Sequence, residues 1–286
     1  MRLVATDLDG TLLRNDKTVS ERTAATLRRL TAAGVHLALV TGRPLRWLTR
    51  VYDQVDMTVP AVCANGAVVY DPRRDEVLRA EPLAPELLAE VCRRLRAEIP
   101  GIVFAVEITD SREMRHEEEY EVWWHAEGRP VRALDDPAEL CAVPAVKLLA
   151  RAAGADTNTF AARVAACLDG IAEATHSSDH GLVEISAAGV TKAAGLAWLC
   201  QRLGVAAADV VAFGDMPNDV AMLAWAGRSV AVANAHPAVR EVARDVTLTN
   251  EEDGVAVYID DLLRRQPPAG ADASSVPTRG QGRTAG

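Results

Sequence analysis

Residues 7–13 read Asp-Leu-Asp-Gly-Thr-Leu-Leu and come directly after the apolar run at residues 3–5. The apolar run is typical of a buried β-strand, so both aspartates stand where that strand passes into a turn. Successive side chains of an extended chain point to opposite faces, which lets Asp7 and Asp9 reach one pocket while Leu8 packs away from it. Two carboxylates this close resist joint ionisation, and a divalent cation or a retained proton relieves the repulsion. Such a pair suits a nucleophile beside an acid.

Other interpretations of this stretch remain open at this point. A solvated turn after an edge strand would contain the same Asp-x-Asp-Gly pattern. A calcium-binding EF-hand loop fits less well, because the twelfth position counted from Asp7 would need a glutamate and is Thr18.

Composition excludes several classes of protein. The 286 residues are 49% hydrophobic and carry a net charge of −9 with no basic block, which argues against nucleic-acid binding. The five cysteines are odd in number and widely spaced, so neither a disulfide framework nor a zinc knuckle is expected. We also expect no membrane partner, because no apolar run approaches the roughly 20 residues that span a bilayer. With no signal peptide expected, the predicted location is cytoplasmic.

Strand and helix patterns alternate along the first part of the chain, a different pattern of short strands and helices follows, and the first pattern then resumes. The pattern predicts an α/β protein whose parallel sheet is interrupted by an insertion. The acidic run at residues 117–121 is interpreted as a solvated face or an exposed loop. The predicted divisions are a first core part at 1–81, an inserted domain at 82–186, a second core part at 187–266 and a disordered tail at 267–286.

Three predicted strands end in polar motifs. These motifs are Asp7-Leu8-Asp9, Thr41-Gly42-Arg43 and the stretch 214–219, Gly-Asp-Met-Pro-Asn-Asp. Each alone could be an ordinary turn between a strand and a helix. However, the carboxyl ends of parallel strands lie on one edge of a sheet, which is where such folds bind ligands. The motifs are therefore predicted to share one cleft.

Lys192 adds an independent argument. The sequence has three lysines, Lys17, Lys147 and Lys192, against 28 arginines, so a lysine at a helix start is unusual. An ammonium beside the N–H groups of a helix start makes a compact anion site, although an exposed surface role for Lys192 is the simpler alternative.

The motifs and their order resemble those of the haloacid dehalogenase-like phosphatases, specifically the Cof-type branch with a large α/β cap. The resemblance spans about residues 1–266 and rests on 7–12, Thr41-Gly42-Arg43, Lys192 and 214–219. Asn65-Gly66-Ala67 and Asp253-Gly254-Val255 also resemble stretches common in that branch. The resemblance implies a Rossmann-like parallel-sheet core with an inserted cap domain, and a magnesium-dependent phosphatase of small phosphorylated metabolites such as sugar or cofactor phosphates.

The resemblance also implies roles for individual residues. Asp7 would attack phosphorus to form an aspartyl-phosphate, and Asp9 would act first as acid and then as base. Mg²⁺ would be held by the carboxylates of Asp7 and Asp215 and the backbone carbonyl of Asp9. The implied phosphate-binding groups are the backbone of Leu8, Thr41, the Gly42 N–H, Lys192 and Asn218.

Two further residues are given supporting roles. Asp219 would support the metal site, and Arg43 would orient its own loop, contact substrate or form a salt bridge to the core. Two rival functions remain open: a sugar phosphomutase and a catalytically idle protein that binds a phosphometabolite. We expect a monomer or a small homo-oligomer.

Overall fold

The computed structural model describes residues 1–122, 131–152, 154, 156–177 and 181–265. Over these ranges the protein is an α/β fold with two β-sheets, which confirms the predicted fold class. The tail predicted at 267–286 lies outside the described residues. In the part that is described, no helix combines the length and the apolar character that crossing a bilayer requires.

The elements alternate between strands and helices. The strands are β1 (Leu3–Thr6), β2 (His36–Val40), β3 (Ala61–Cys63), β4 (Val68–Asp71), β5 (Glu76–Ala80), β6 (Val103–Ile108), β7 (Met114–Glu117), β8 (Val131–Leu134), β9 (Ala145–Arg151), β10 (Ala172–Thr175), β11 (Leu182–Ala187), β12 (Val210–Gly214), β13 (Arg228–Ala231) and β14 (Asp245–Val246). The α-helices are α1 (Glu21–Ala32), α2 (Thr49–Val55), α3 (Pro85–Glu98), α4 (Thr157–Leu168), α5 (Lys192–Leu203), α6 (Val220–Trp225), α7 (Pro237–Val242) and α8 (Gly254–Arg265).

The first sheet, which we call the core sheet, has the strand order β14-β13-β12-β1-β2-β3-β4-β5. The strands from β14 to β3 are parallel, whereas β4 and β5 turn back antiparallel. β1 lies inside this sheet and all of its residues are buried, as expected for a strand with packing on both faces. The carboxyl ends of β1, β2 and β12 consequently lie side by side at one edge.

Helix α5 begins where the sequence indicates. Thr191 is in the extended conformation, and its side chain accepts a hydrogen bond from the backbone N–H of Ala194, which caps the helix. Leu196 and Leu199 turn one face of the helix into the core. This cap makes Lys192 the first residue of the helix.

The second sheet is formed by the chain between β5 and α5, in the order β10-β11-β9-β6-β7-β8. Its central strands β11, β9 and β6 are antiparallel to their neighbours, whereas β7 and β8 pair in parallel. Apolar side chains of α3 and α4, such as Leu88 and Val164, pack on one face against Phe104, Leu148 and Ile185. The second sheet therefore has its own apolar core.

The prediction for the acidic run at 117–121 is wrong for two of its residues. Glu117 is buried, accepts a hydrogen bond of 2.9 Å from the backbone N–H of Phe104, and pairs with Arg96 of α3. Tyr120 is buried as well. β7 pairs with β6, which turns the Glu117 side chain inward to where Arg96 supplies the compensating charge.

Candidate active site

The first residue after each of three neighbouring strands is polar and buried. Asp7 follows β1, Thr41 follows β2 and Asp215 follows β12. The backbone continues its hydrogen bonding past the strand ends, since the N–H of Asp7 donates to the carbonyl of Phe213 at 3.0 Å. The predicted shared edge of these strands is thus where the structure brings their polar side chains together.

Lys192 joins this edge from α5. Its Nζ lies 2.6 Å from Oδ1 of Asp7 and 2.6 Å from Oδ1 of Asp219, and its side chain is only 1% exposed. Burial lowers the pKa of Lys192, but the charges of Asp219 and Asp7 outweigh it and raise that pKa above its ordinary value. The side chain is therefore a buried, charged ammonium, which rules out the alternative of an exposed surface lysine.

Asp215 is fixed from both sides. Thr11 donates its hydroxyl to Oδ1 of Asp215 at 2.7 Å, and Oδ2 of Asp219 accepts the backbone N–H of Asp215 at 3.0 Å. Gly10 has a φ of +80°, and a Cβ at that position would lie 2.3 Å from Oδ2 of Asp215. Gly10 therefore serves the turn and also leaves room for the Asp215 carboxylate.

The residues present fit a divalent cation. Carboxylate oxygens of Asp7, Asp215 and Asp219 all lie within 4.8 Å of one another, and Lys192 is the ammonium that contacts Asp7 and Asp219. Burial, followed by the charge of Asp219, raises the pKa of Asp215 to about 7. Burial likewise raises the pKa of Asp7, with Lys192 opposing it and Asp219 and Asp215 adding to it. The raised pKa values reflect burial and repulsion among carboxylates that one ammonium does not fully offset, and a divalent cation such as Mg²⁺, which prefers oxygen ligands, would relieve that repulsion.

The Asp9 carboxylate is held by cations rather than by this cluster. Arg43 forms a bidentate ion pair with this carboxylate, with Nε 2.6 Å from Oδ2 and Nη2 2.7 Å from Oδ1. Nζ of Lys17 also lies 2.9 Å from Oδ1 of Asp9. Burial alone would raise the pKa of Asp9, but the hydrogen bonds and charge of Arg43, with those of Lys17, lower it to about 2. Of the three roles considered for Arg43, the geometry shows an ion pair, and its partner is Asp9.

The predicted phosphate-binding residues lie in the same region. Thr41 is buried, and its hydroxyl accepts the backbone N–H of Arg43 at 3.0 Å. A Cβ on Gly42 would lie 3.5 Å from Nδ2 of Asn218, so these two residues are close neighbours. The buried Oδ1 of Asn218 has no hydrogen-bond partner among the residues that the structure describes. Leu8 has its side chain in the apolar core, which leaves its backbone for the role predicted for it.

Three residues around Gly42 were missed as site residues. Asn65, Lys147 and Glu184 are all buried there, and Nζ of Lys147 donates to the carbonyl of Gly42 at 2.5 Å. The scarcity of lysine could have identified one of them, because each of the three lysines of the sequence contacts this region: Lys17 at Asp9, Lys147 at Gly42 and Lys192 at Asp7.

Comparison with known proteins finds relatives that match over nearly their whole length. The chain is 31% identical over 258 residues to the 5-amino-6-(5-phospho-D-ribitylamino)uracil phosphatase YitU of Bacillus subtilis, covering 90% of this chain and 96% of the relative. It is 29% identical over 278 residues to the pyridoxal phosphate phosphatase YbhA of Escherichia coli, covering 90% and 97%. The crystal structure of SMU.1108c from Streptococcus mutans has the same fold, with a TM-score of 0.80 at 22% identity, covering 92% of this chain and 99% of that one.

A family model described as haloacid dehalogenase-like hydrolase matches residues 4–259. The match spans both sheets and every strand-end motif described above. The chain therefore belongs to the haloacid dehalogenase-like hydrolases.

Proposed function

We propose that the protein is a Mg²⁺-dependent phosphatase that hydrolyses phosphate monoesters of small metabolites through an aspartyl-phosphate. The observation that carries the proposal is the buried cluster of Asp7, Asp215 and Asp219, with Lys192 bonded to Asp7. Phosphoryl transfer of this kind requires a nucleophilic carboxylate, a positive charge near the phosphoryl oxygens, and carboxylates that can bind a hard cation. The phosphatase names of the relatives YitU and YbhA support the same activity.

Asp7 is the proposed nucleophile. Lys192 fixes one of its carboxylate oxygens at 2.6 Å, which orients the side chain at the end of β1. One carboxylate oxygen of Asp7 forms a bond to phosphorus as the ester oxygen leaves, and the second half of the reaction is the attack of water on the acyl-phosphate. The nucleophile must be ionised to attack. Burial raises the pKa of Asp7, and the charge of Lys192 opposes that rise and so favours the ionised form.

Mg²⁺ would be held by the carboxylates of Asp7 and Asp215 and by the backbone carbonyl of Asp9. When bound, it would supply positive charge to the phosphoryl oxygens and offset the repulsion among the carboxylates. Asp219 supports this set without being a proposed ligand, because its oxygens accept Lys192 and the backbone N–H groups of Asp215 and Met216.

Asp9 is the proposed acid and base. The ion pair with Arg43 keeps it ionised without substrate, which is the form that accepts a proton from the attacking water. To donate a proton to the leaving oxygen first, Asp9 must acquire one. An incoming phosphate dianion favours this, because it raises the pKa of Asp9 by like-charge repulsion and competes for Arg43.

The proposed donors to the phosphoryl oxygens are the backbone N–H groups of Leu8 and Gly42, the hydroxyl of Thr41, Lys192 and the amide of Asn218. Thr41, Lys192 and Asn218 are buried and held by hydrogen bonds, so they need little rearrangement when charge develops on phosphorus.

We propose that the second sheet and its helices, at residues 82–186, form a cap over this edge, with core parts at 1–81 and 187–266. A cap limits access to small substrates and excludes water. The relatives named for a ribitylaminouracil phosphate and for pyridoxal phosphate favour a sugar or cofactor phosphate as substrate. We also propose that the enzyme is cytoplasmic and that it is a monomer or a small homo-oligomer.

The test is a phosphate-release assay of the purified protein against a panel of phosphometabolites that includes the two named above, with Mg²⁺ and with EDTA. We expect release with Mg²⁺, none with EDTA and none from Asp7→Asn. Activity that persists in EDTA would contradict the metal assignment. A requirement for an added sugar bisphosphate would instead indicate a phosphomutase, and tight binding without release would indicate an idle binding protein.

A further inference from the structure

Residues 42–46, which follow β2, are bonded to the region of the second sheet at two points. At one end, Nζ of Lys147 in β9 donates to the carbonyl of Gly42 at 2.5 Å. At the other end, the backbone N–H of Leu45 donates to the hydroxyl of Ser111 at 3.0 Å, and the Arg46 side chain pairs with Glu107 of β6. Residues 42–46 thus contact the proposed cap at both ends, while Arg43 between them holds Asp9.

A second connection leads from β11 to Asn218. Oε2 of Glu184 accepts Nδ2 of Asn65 at 2.6 Å, and Oδ1 of Asn65 accepts Nδ2 of Asn218 at 3.1 Å. The Nδ2 group of Asn65 donates to a carboxylate, so the Oδ1 atom of Asn65 faces Asn218. Because an oxygen can only accept, the Nδ2 group of Asn218 is the end of its amide that faces Asn65. The orientation of a proposed phosphate-binding amide is therefore determined by a carboxylate of the other sheet.

Lys147 and Glu184 join the two connections. Nζ of Lys147 lies 3.2 Å from Oε1 of Glu184, and the side chains are 2% and 7% exposed. A buried ion pair is a weak source of stability, because desolvation offsets most of the attraction between the charges. A buried ion pair can instead hold the groups that are hydrogen-bonded to it in one arrangement. The groups hydrogen-bonded to Lys147 and Glu184 include the Gly42 carbonyl and the Asn65 amide.

We propose that Lys147 and Glu184 are positioning residues for phosphoryl binding: they set the Gly42 loop and, through Asn65, the amide of Asn218. The inference rests on the proposed function and assigns to the cap a share in binding the phosphoryl group itself. The docked cap would thereby complete the phosphate site, whatever organic group the phosphate carries.

The test uses Lys147→Met and Glu184→Gln in the full-length protein with Mg²⁺. The readouts are kcat and KM for p-nitrophenyl phosphate and for a sugar phosphate, and the inhibition constant of inorganic phosphate. We expect the phosphate inhibition constant and both KM values to rise by about tenfold, the equivalent of one charge-assisted hydrogen bond, with a smaller change in kcat.

The matched control is Arg112→Gln. Arg112 pairs with Asp75 at 2.6 Å and so also links residues of the two sheet regions, but the two side chains are 45% and 69% exposed. We expect this variant to keep the wild-type constants.

Unchanged phosphate inhibition in folded Lys147→Met and Glu184→Gln would overturn the proposal. A KM effect confined to one of the two substrates would also overturn it, since the residues would then contact the leaving group. If Lys147→Met does not fold, the near-isosteric Glu184→Gln decides alone. If the wild-type protein releases no phosphate, the proposed function fails, and calorimetric binding of inorganic phosphate with Mg²⁺ still tests the positioning role.

Discussion

The two sheets both contain buried charges, but they place and balance them differently. In the core sheet, Asp7 and Asp215 come directly after strands, whereas in the second sheet Glu107, Lys147 and Glu184 lie inside strands. Strand ends are visible in a sequence as a change from apolar to polar residues. Positions inside a strand come together only through pairing: Glu107 lies opposite Lys147 in the register, and Glu184 lies diagonal to it.

The charge balance differs as well. At the core edge, the carboxylates of Asp7, Asp215 and Asp219 lie close to one ammonium, that of Lys192. In the second sheet, Glu107 contacts Arg46 and Glu184 contacts Lys147, so each acid has its own base. The unbalanced cluster is suited to taking up a further cation and a substrate. The balanced cluster is suited to holding its neighbours in place.

The largest effect is expected from Asp7→Asn. The amide is a poor nucleophile, so kcat for p-nitrophenyl phosphate should fall by on the order of a thousandfold or more. Asp16→Asn is the control, because Asp16 is exposed in the turn that follows the same motif, and it should retain wild-type kcat. Near-normal turnover of Asp7→Asn would refute the nucleophile assignment.

Lys192→Met should cause the largest loss of stability. It leaves Asp7 and Asp219 buried without their ammonium, and removal of one partner of a buried ion pair costs roughly 3–5 kcal/mol. Urea unfolding in EDTA measures the loss in free energy of unfolding, and added Mg²⁺ should restore part of it. Unchanged stability in EDTA would mean that the carboxylates are protonated and need no cation.

Mg²⁺ should stabilise the wild-type protein through the unbalanced cluster. At about 100 times its Kd, a ligand that binds only the folded state adds about 2.7 kcal/mol, seen as a rise in the thermal midpoint. Asp215→Asn should lose this response, and Glu107→Gln should keep it. If both variants respond alike, the two clusters do not differ in the way that their charges indicate.

A smaller effect is expected from Glu107→Gln. The variant leaves the guanidinium of Arg46, whose side chain is 4% exposed, without its carboxylate. The glutamine oxygen can still accept a hydrogen bond, so the loss should be about 1–3 kcal/mol in urea unfolding. A loss as large as that of Lys192→Met would show that the balanced cluster also carries much of the stability.

The smallest effect is expected from Asp75→Asn. Asp75 pairs with Arg112 at an exposed site, and such pairs contribute little because water and salt screen them. Thermal unfolding should show no measurable change. A clear loss would show that exposed contacts between the two sheet regions also matter.

The sequence predicted the core edge well for a physical reason. Strands of a parallel sheet point their carboxyl ends the same way, so residues such as Asp7, Thr41 and Asp215 converge once the strands are recognised. Lys192 was found because lysine is rare in this chain. The same signal could have identified Lys147, but nothing in the local pattern indicates that β9 places it against Gly42.

The acidic run at residues 117–121 is a case in which the local sequence gives a wrong prediction of burial. The charged neighbours of Glu117 predict a solvated face or an exposed loop, whereas pairing of β7 with β6 turns this side chain inward to Arg96. Local composition describes the average exposure of a segment. It does not describe the one side chain that a partner from another element neutralises.

From the sequence alone came the α/β class, the strand-end motifs and the chemistry that those residue types allow, because periodicity and turn signals act over a few neighbouring residues. The tertiary structure decided the partners: Arg43 with Asp9, Lys192 with Asp219 and Lys147 with Gly42. Their members lie 34, 27 and 105 residues apart, so only the packing of strands and helices brings these charges within bonding distance.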